Sequence, residues 1–599
     1  MQKTEVLVIG AGPSGMISAL CLAKLGIYSV VVERNAGVNE HPKAHELNTR
    51  SMEILETVGV SIDELIAEAA PFSDGARILF CNTINEEYGR IDLFADEGRR
   101  QKYQQHLKSK TPYLNLSQTQ LEKILLQHIN ANPLIEIHFQ HQWQSLTQNE
   151  TGVTSEILER TQDKIFSIHS QYVLAADGHG SRCRTAVGIE MEGPDKIQDF
   201  VSTYFENDLR EHVNTPAKLF WMLHPKAGGT FIAHHIEKRW VYMMPIYLDY
   251  EQKEDFTEAF MADRIKMALG NSELNINIKS IGFWHMSAQL ASSYSKGRVF
   301  LVGDAAHRFP PTGGLGMNTG IGDAHNIAWK IKTVLSGLAE QHLLTTYESE
   351  RRPIAKQNTE ESLFNYHKIQ DIIEAFGLNR DGLERIAKFK NTAPGKWLPT
   401  SWRDRLLGFA QGVAQKKFDK YYTDTNLKNK VLATIADQVA HFDRIGLDIG
   451  YVYEKGAIIP DGTDLVFPED KVTEYIPSTR PGARFPHLAL NGSSNLASSH
   501  DLLDYDRFTL LIDSEGSGWA SALDQLPEAL KAIIVLKQLD QLQLSDVVYQ
   551  NIIALCAIEP TGAILIRPDA HVAWRRVNSE GGTSTILAAV LEKLLGKHN

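Results

Sequence analysis

Three glycines and a proline within six residues, Gly10, Gly12, Pro13 and Gly15, separate the apolar run Glu5–Ile9 from a helical pattern over Met16–Leu25. In a strand, turn, helix unit the first glycine permits the tight turn, the second lets the backbone approach a pyrophosphate, and the third lets helix pack closely on strand. A helix that starts here offers free N–H groups and the positive end of its dipole to phosphates. Tyr28–Glu33 then reads as a second strand, and Glu33 at its end can accept hydrogen bonds from a ribose hydroxyl pair. Gly10, Gly12, Pro13, Ser14, Gly15, Glu33 and the adjacent Arg34 are therefore candidate cofactor contacts. The motif alone does not separate FAD from NAD.

The same glycines decide a second question. Val6–Ala23 is uncharged, mostly apolar and about as long as a membrane span or signal peptide. A tight turn in its middle fits a soluble nucleotide-binding unit better, so the chain is expected to be cytoplasmic, with no targeting segment. A net charge of −12 without a basic run argues against nucleic acid as a partner. Cys21, Cys81, Cys183 and Cys556 are far apart and form neither a CxxC pair nor a zinc cluster, so they are expected to be packing residues and no metal site is expected.

At 599 residues, and with roughly 150 residues per domain, the chain is expected to fold as several units. Tyr172–Ala176 reads as a buried strand ending at Asp177, and Arg298–Val302 as another ending at Gly303-Asp304. Ligands gather at the carboxyl ends of such strands, so these remote segments are expected to converge on one site. Ser202–Tyr247 and Ile276–Met286 suit a second sheet, rich as they are in β-branched and aromatic residues. Ala355–Phe442 reads as helical, with turns at Thr392–Lys396, and the character changes again from about Asp448, where Arg507–Ile512 reads as a strand and Ser521–Leu530 and Thr585–Leu595 as helices.

The stretch Gly297–Lys330 (GRVFLVGDAAHRFPPTGGLGMNTGIGDAHNIAWK) is the most specific in the chain. It resembles the single-component flavoprotein aromatic hydroxylases, the family of para-hydroxybenzoate hydroxylase, and most of all their phenol hydroxylase and 2,4-dichlorophenol monooxygenase branch. The resemblance implies FAD, with Asp304 at the ribityl chain and Pro310, Gly313, Gly314, Gly316, Met317 and Asn318 beside the isoalloxazine ring. Small residues let main-chain amides approach a flat ring, and a helix start near its pyrimidine end stabilises negative charge on reduced flavin. ADGHGSRCR resembles the family's shared FAD and NAD(P)H motif through Asp177, Gly178, Ser181 and Arg184, although Arg184 could equally cap local carbonyls. KAHELNTRSME and NLSQTQLE look like the family's flavin-side segment and its ribityl-contacting Gln118, and YESERRP (Tyr347–Pro353) is also typical of it. Lys43 stands where many members carry Arg, which keeps a cation but not a bidentate contact. Pro477–His487 and Gly562–Arg575 resemble a thioredoxin-like appendage, here without a CxxC.

The implied fold is α/β: a Rossmann-like FAD-binding domain (1–75, 105–188 and 291–360), an inserted β-sheet substrate domain (76–104 and 189–290), a helical segment (361–447) and a thioredoxin-like domain (448–599), with a homodimer the commonest assembly. The implied reaction passes hydride from NADPH or NADH to the flavin, and a flavin C4a-hydroperoxide then delivers an OH to a phenolic or other aromatic ring. His45 is the candidate base for the phenol proton, since imidazole titrates near neutrality. Trp284 and His285 fall where relatives have an aromatic substrate-side residue. Trp221, Met222, His234, His235, Tyr242 and Met243 lie on the expected sheet as candidate pocket residues, with Pro311 from the ring-side loop; core packing is the commoner role for such side chains. Two alternatives stand beside this reading: a same-fold flavin oxidase, epoxidase or Baeyer-Villiger-type oxygenase acting on a polyketide-like compound, and a non-catalytic FAD-binding protein.

Overall fold

The computed structural model describes residues 2–93, 109, 113–393, 397–490, 496–580 and 582–596. The expected boundary between 104 and 105 and the end of the expected Thr392–Lys396 turn lie outside them.

Gln2–Ile9 is the central strand of the first sheet, parallel to Ser29–Glu33 on one side and to Lys164–Ala175 on the other. Ile135–Phe139 and Val299–Leu301 extend the parallel array outward. Val6, Leu7, Val8 and Val30–Val32 are all buried, which is why these strands read as continuous apolar runs and not as alternating ones. Helix Pro13–Lys24 crosses from the first strand to the second, with Pro13 at a position where its missing N–H costs nothing. Val6–Ala23 thus divides into strand, turn and helix, and among the described residues no helix is long and apolar enough to cross a membrane.

The second sheet runs in the order Ile278–Met286, Gln198–Phe205, Arg239–Ile246, Gly229–His235, Leu219–Met222, Arg77–Cys81, Glu87–Asp92. Alternation gives each strand two different neighbourhoods. Phe220, Met222, Phe231, Trp240 and Tyr242 pack with Met261 and Ile265 of helix Glu258–Leu269. On the other side, Ile78, Phe80 and Tyr88 meet Ile372, Phe376, Phe418 and Ile435 from the helical segment.

The C-terminal sheet has the order Ile534–Gln538, Phe508–Ile512, Ala563–Ile566, Val572–Arg576, its first pair parallel and the other two antiparallel. The helix expected over Ser521–Leu530 is broken into Ser517–Asp524 and Glu528–Lys531, because Pro527 between them lacks an N–H and disfavours helical geometry at Leu526. Phe508, Trp519 and Leu591 belong to the same core as the first sheet. A fully buried ion pair joins the two as well: Arg567 donates to Glu350 at 2.8 and 2.9 Å, and Glu350 accepts in addition from Lys330 at 2.8 Å. The four cysteines are free and buried, and burial pushes the Cys21 and Cys556 thiols up to about 12, so both act as packing residues.

Candidate active site

The fingerprint turn is constrained from two sides. Gly10 has φ +100°, and a Cβ there would lie 2.3 Å from the Ala176 carbonyl oxygen; a Cβ on Gly15 would lie 2.0 Å from that of Gly10. Gly12 differs, since a Cβ there meets nothing within 4 Å. It is the N-cap of helix Pro13–Lys24, with no side-chain cap and no acid in the first turn, so the helix start is open to an anion. Glu33 accepts hydrogen bonds from the Ala11 and Asn35 N–H groups, each at 2.9 Å, which fixes its carboxylate beside the turn. Arg34 is exposed. Ser14 fills the notch where Gly303 and Gly320 approach, since a Cβ on either would stand within 2.4 Å of its Oγ.

The other two strand ends arrive at the same place. The Asp177 carboxylate accepts from Ser181 Oγ at 2.5 Å and from the Cys183 N–H at 3.1 Å, and burial raises its pKa. Arg184 donates to the carbonyls of Ala305 at 3.0 Å and His179 at 3.5 Å, so it acts here as a brace between two loops. Asp304 stands exposed on the turn Gly303–Ala305.

Pro310 is buried and Pro311 exposed on the approach to helix Leu315–Leu335. Gly313 and Gly314 have φ of +107° and +60°, a conformation that favours glycine, and the helix begins without a side-chain cap or an acid in its first turn. Gly316 and Met317 in that turn are half-buried. Asn318 accepts the Asn48 N–H at 3.0 Å and donates to the carbonyls of Glu46 at 3.0 Å and Gly314 at 2.8 Å, which joins the segment carrying Lys43 and His45 to the helix start. Gln118 holds the same segment from below, donating its N–H to the Ala44 carbonyl at 2.8 Å, while Lys43 itself is exposed.

The second sheet meets this segment with one face. Pairing puts Trp221, Thr230, Met243, Ser202 and Gly282 in one cross-strand row, with Phe200 and Trp284 on the same side, stacked at 4.7 Å. His234 approaches His45 edge to face at 5.5 Å, and His45 lies 3.0 Å from Asn115 Oδ1. His41 bridges Ser280 at 2.7 Å and Ser202 at 2.9 Å. Met222 and Tyr242 are on the opposite face, in the core against helix Glu258–Leu269, where the Tyr242 hydroxyl donates to the Ala227 carbonyl at 2.9 Å. Expected as pocket residues, they are one position out of phase with Trp221 and Met243, and a period of two sends them away from the site. His285 is out of phase with Trp284 in the same way and is exposed. His235 is half-buried at the strand end, its Nδ1 accepting from the Glu237 N–H at 3.3 Å.

Comparison with known proteins identifies the arrangement. A family model described as FAD binding domain matches residues 3–362, and one described as aromatic-ring hydroxylase, C-terminal, matches 478–597. The chain belongs to the FAD-dependent aromatic-ring hydroxylases. This hydroxylase is 30% identical to the 2,4-dichlorophenol 6-monooxygenase of Delftia acidovorans over 100% of its own length and 99% of that protein. It is 33% identical to a putative polyketide hydroxylase of Streptomyces coelicolor, covering 99% of the chain and 97% of the relative. The crystal structure of the flavin-dependent monooxygenase PieE with FAD and substrate superposes with a TM-score of 0.85, 29% identity and coverage of 100% and 99%. The hydroxylase is an FAD-dependent aromatic monooxygenase, and its residues suit such a cofactor: two helix starts have no side-chain cap or acid in the first turn, nothing stands within 4 Å of the open side of Gly12, and Asp304 is exposed.

Several residues that shape the hydroxylase site carry no sequence motif. Asn115, Lys218 and Arg444 come from three unrelated segments. Glu46 is ion-paired with buried Lys218 and, at 2.6 Å, with Arg444; burial alone would raise its carboxyl, but the two cations hold it well below the usual carboxylate range. These groups, with Asn48, Tyr113 and Asp448, line a polar cavity of about 20 Å³, room for one water. Burial lowers the pKa of His45 and, further, that of His234, so both rings are neutral at neutral pH. Neither His234 ring nitrogen has a hydrogen-bond partner among the described residues, a costly condition for a side chain 1% exposed.

Proposed function

We propose that the hydroxylase acts on a phenolic ring held between the second sheet and the Lys43–Asn48 segment, with NADPH or NADH and O2 as cosubstrates, and that His45 accepts the phenol proton. One ring, one O2 and one NAD(P)H with a proton give the hydroxylated ring, NAD(P)+ and water. Bound FAD supplies the redox chemistry, carrying electrons from the nicotinamide to O2 and an oxygen atom to the ring.

The chain supplies the rest. The observation that carries the reading is the Asn115 amide: its Nδ2 donates to the Ala233 carbonyl at 3.0 Å, which turns Oδ1 toward His45 Nδ1. His45 therefore carries its proton on Nδ1 and keeps a lone pair on Nε2. A base within reach of the phenol raises the electron density of the carbon under attack. His234, with its ring nitrogens unpartnered, is suited to orient a substrate oxygen beside His45, and Trp221, Met243 and the Phe200–Trp284 stack offer apolar contact to the ring. Asp304, Gly12, Glu33, the Gly314–Asn318 helix start and Gln118 are assigned to FAD.

A larger polycyclic phenol is the second reading, favoured by the identity to a putative polyketide hydroxylase. The test is anaerobic reduction of the bound flavin by NADPH and by NADH across a panel of simple phenols and polycyclic phenols. Faster reduction with one class assigns the substrate. Reduction indifferent to every phenol removes the proposal.

A second copy of the chain is assigned to the stripe Trp402, Leu406, Phe409 and Val413, all exposed on helix Thr400–Asp419, where Gly408 and Gly412 leave space for a neighbouring helix. A monomer in sedimentation equilibrium removes this part.

A further inference from the structure

Asp323 lies nine residues into helix Leu315–Leu335, about 13 Å along its axis from Gly314. It is fully buried, yet its carboxylate collects three donors. Oδ2 accepts from His307 Nε2 at 2.8 Å and from the Gly303 N–H at 3.3 Å, and Oδ1 accepts from Arg351 Nε at 2.9 Å. Burial would raise its pKa, but Arg351 and His307 hold it below the usual range, so the group is ionised.

Two of the donors flank segments assigned to the cofactor, and the third comes from a neighbouring helix. Gly303 opens the turn that carries Asp304. His307 stands in the strand His307–Arg308, stacked on Phe309 at 4.6 Å, and leads directly into Pro310 and Pro311. Arg351 comes from helix His342–Ile369 and reaches on to the Thr319 carbonyl and the Tyr453 hydroxyl, both at 3.2 Å. Space for that guanidinium exists because residue 322 is glycine: a Cβ there would lie 2.7 Å from Arg351 Nη2. The Asp304 turn and the ring-side loop are close in sequence, and one carboxylate holds both Gly303 at the head of the first and His307, three residues before Pro310.

We propose that Asp323 is the positioning residue of the FAD site: without touching the cofactor, it sets the spacing between the ribityl-side turn at Asp304 and the ring-side loop at Pro310–Gly314, and so sets FAD affinity. This rests on the assignment of those two segments to FAD. Groups that hold a ligand's own contacts in place commonly carry about tenfold or more in affinity.

The test is titration of apoprotein with FAD, followed by flavin fluorescence, with the visible circular dichroism of bound flavin and the apoprotein melting temperature recorded beside it. Asp323→Asn is expected to raise the FAD Kd at least tenfold and to alter the flavin dichroism. Lys330→Met removes an equally buried charge two turns further along the same helix, and is expected to lower the melting temperature while leaving the FAD Kd within about twofold. Should Asp323→Asn not fold, His307→Leu removes one donor only and is expected to raise the Kd about threefold. An unchanged Kd in the folded Asp323 or His307 variant, or an equal loss in Lys330→Met, overturns the proposal. If instead Asp304→Ala binds FAD as tightly as the wild type, the assignment beneath the proposal is what fails.

Discussion

Asn115 accepts the Nδ1 proton of His45 across 3.0 Å, and it can do so in only one orientation because its own amide nitrogen is committed to the Ala233 carbonyl. The two bonds link the short strand Tyr113–Asn115 to His45 and to strand Gly229–His235 of the second sheet, and leave His45 Nε2 as the only basic atom of the His45–Asn115 pair. Replacing Asn115 by Ala frees the ring to take the other tautomer. Turnover is expected to fall by about tenfold or more, with the flavin absorption spectrum unchanged. Steady-state kinetics beside the spectrum of the same preparation check it.

Gly10 and Gly12 make opposite predictions from one motif. Gly10→Ala places a methyl 2.3 Å from a carbonyl oxygen at φ +100°, and is expected to abolish folding. Gly12→Ala adds a Cβ that meets nothing within 4 Å, so its apoprotein is expected to melt as the wild type does while FAD binding is weakened by the blocked approach. Melting curves of the two apoproteins, followed by reconstitution, separate the cases.

That contrast also marks what the sequence makes legible. The strands that lead to Glu33, Asp177 and Asp304 stand out as buried apolar runs that reach an acid, with Gly178 and Gly303 beside two of the three, and the comparisons bear out the family and the fold. The substrate face is less legible, because its content depends on phase: Trp221 and Met222, or Met243 and Tyr242, are equally apolar neighbours, and only strand register decides which member of each pair faces the site. Asn115, Lys218 and Arg444 leave no trace in any motif, since their roles come from contacts across 70 to 398 residues of chain.

Asp448 gives the site a dependence on pH. Burial raises its carboxyl from 3.8 to about 6, against the pull of Arg444 and the hydrogen bond from Asn48. A folded value above the unfolded one means that this group's contribution to stability is complete below pH 3.8 and is lost as the pH rises through 6. Asp448→Asn keeps an acceptor for Asn48 and removes the charge. Its stability relative to wild type is expected to improve between pH 5 and pH 8 by about 1.4 kcal/mol. Urea denaturation at both pH values measures it, and a difference that is flat with pH contradicts the assignment.

Arg567 tests how far the C-terminal sheet belongs to the core of the hydroxylase. Arg567→Met leaves Asp569 buried without its cation and Glu350 with Lys330 alone, a loss expected to cost about 3 to 5 kcal/mol. Neutralising Asp569 as well, in Arg567→Met with Asp569→Asn, is expected to recover part of it. Denaturant melts of the single and double variants give the answer.

The most direct test counts products. Consumption of NAD(P)H, hydroxylated ring and H2O2 are measured at neutral pH for the wild type and for His45→Ala with an activating phenol. The account predicts one hydroxylated ring per NAD(P)H in the wild type, and in the variant a rate of hydroxylation lower by about a hundredfold or more, with H2O2 taking the place of product. Unchanged rate and yield in His45→Ala would contradict it.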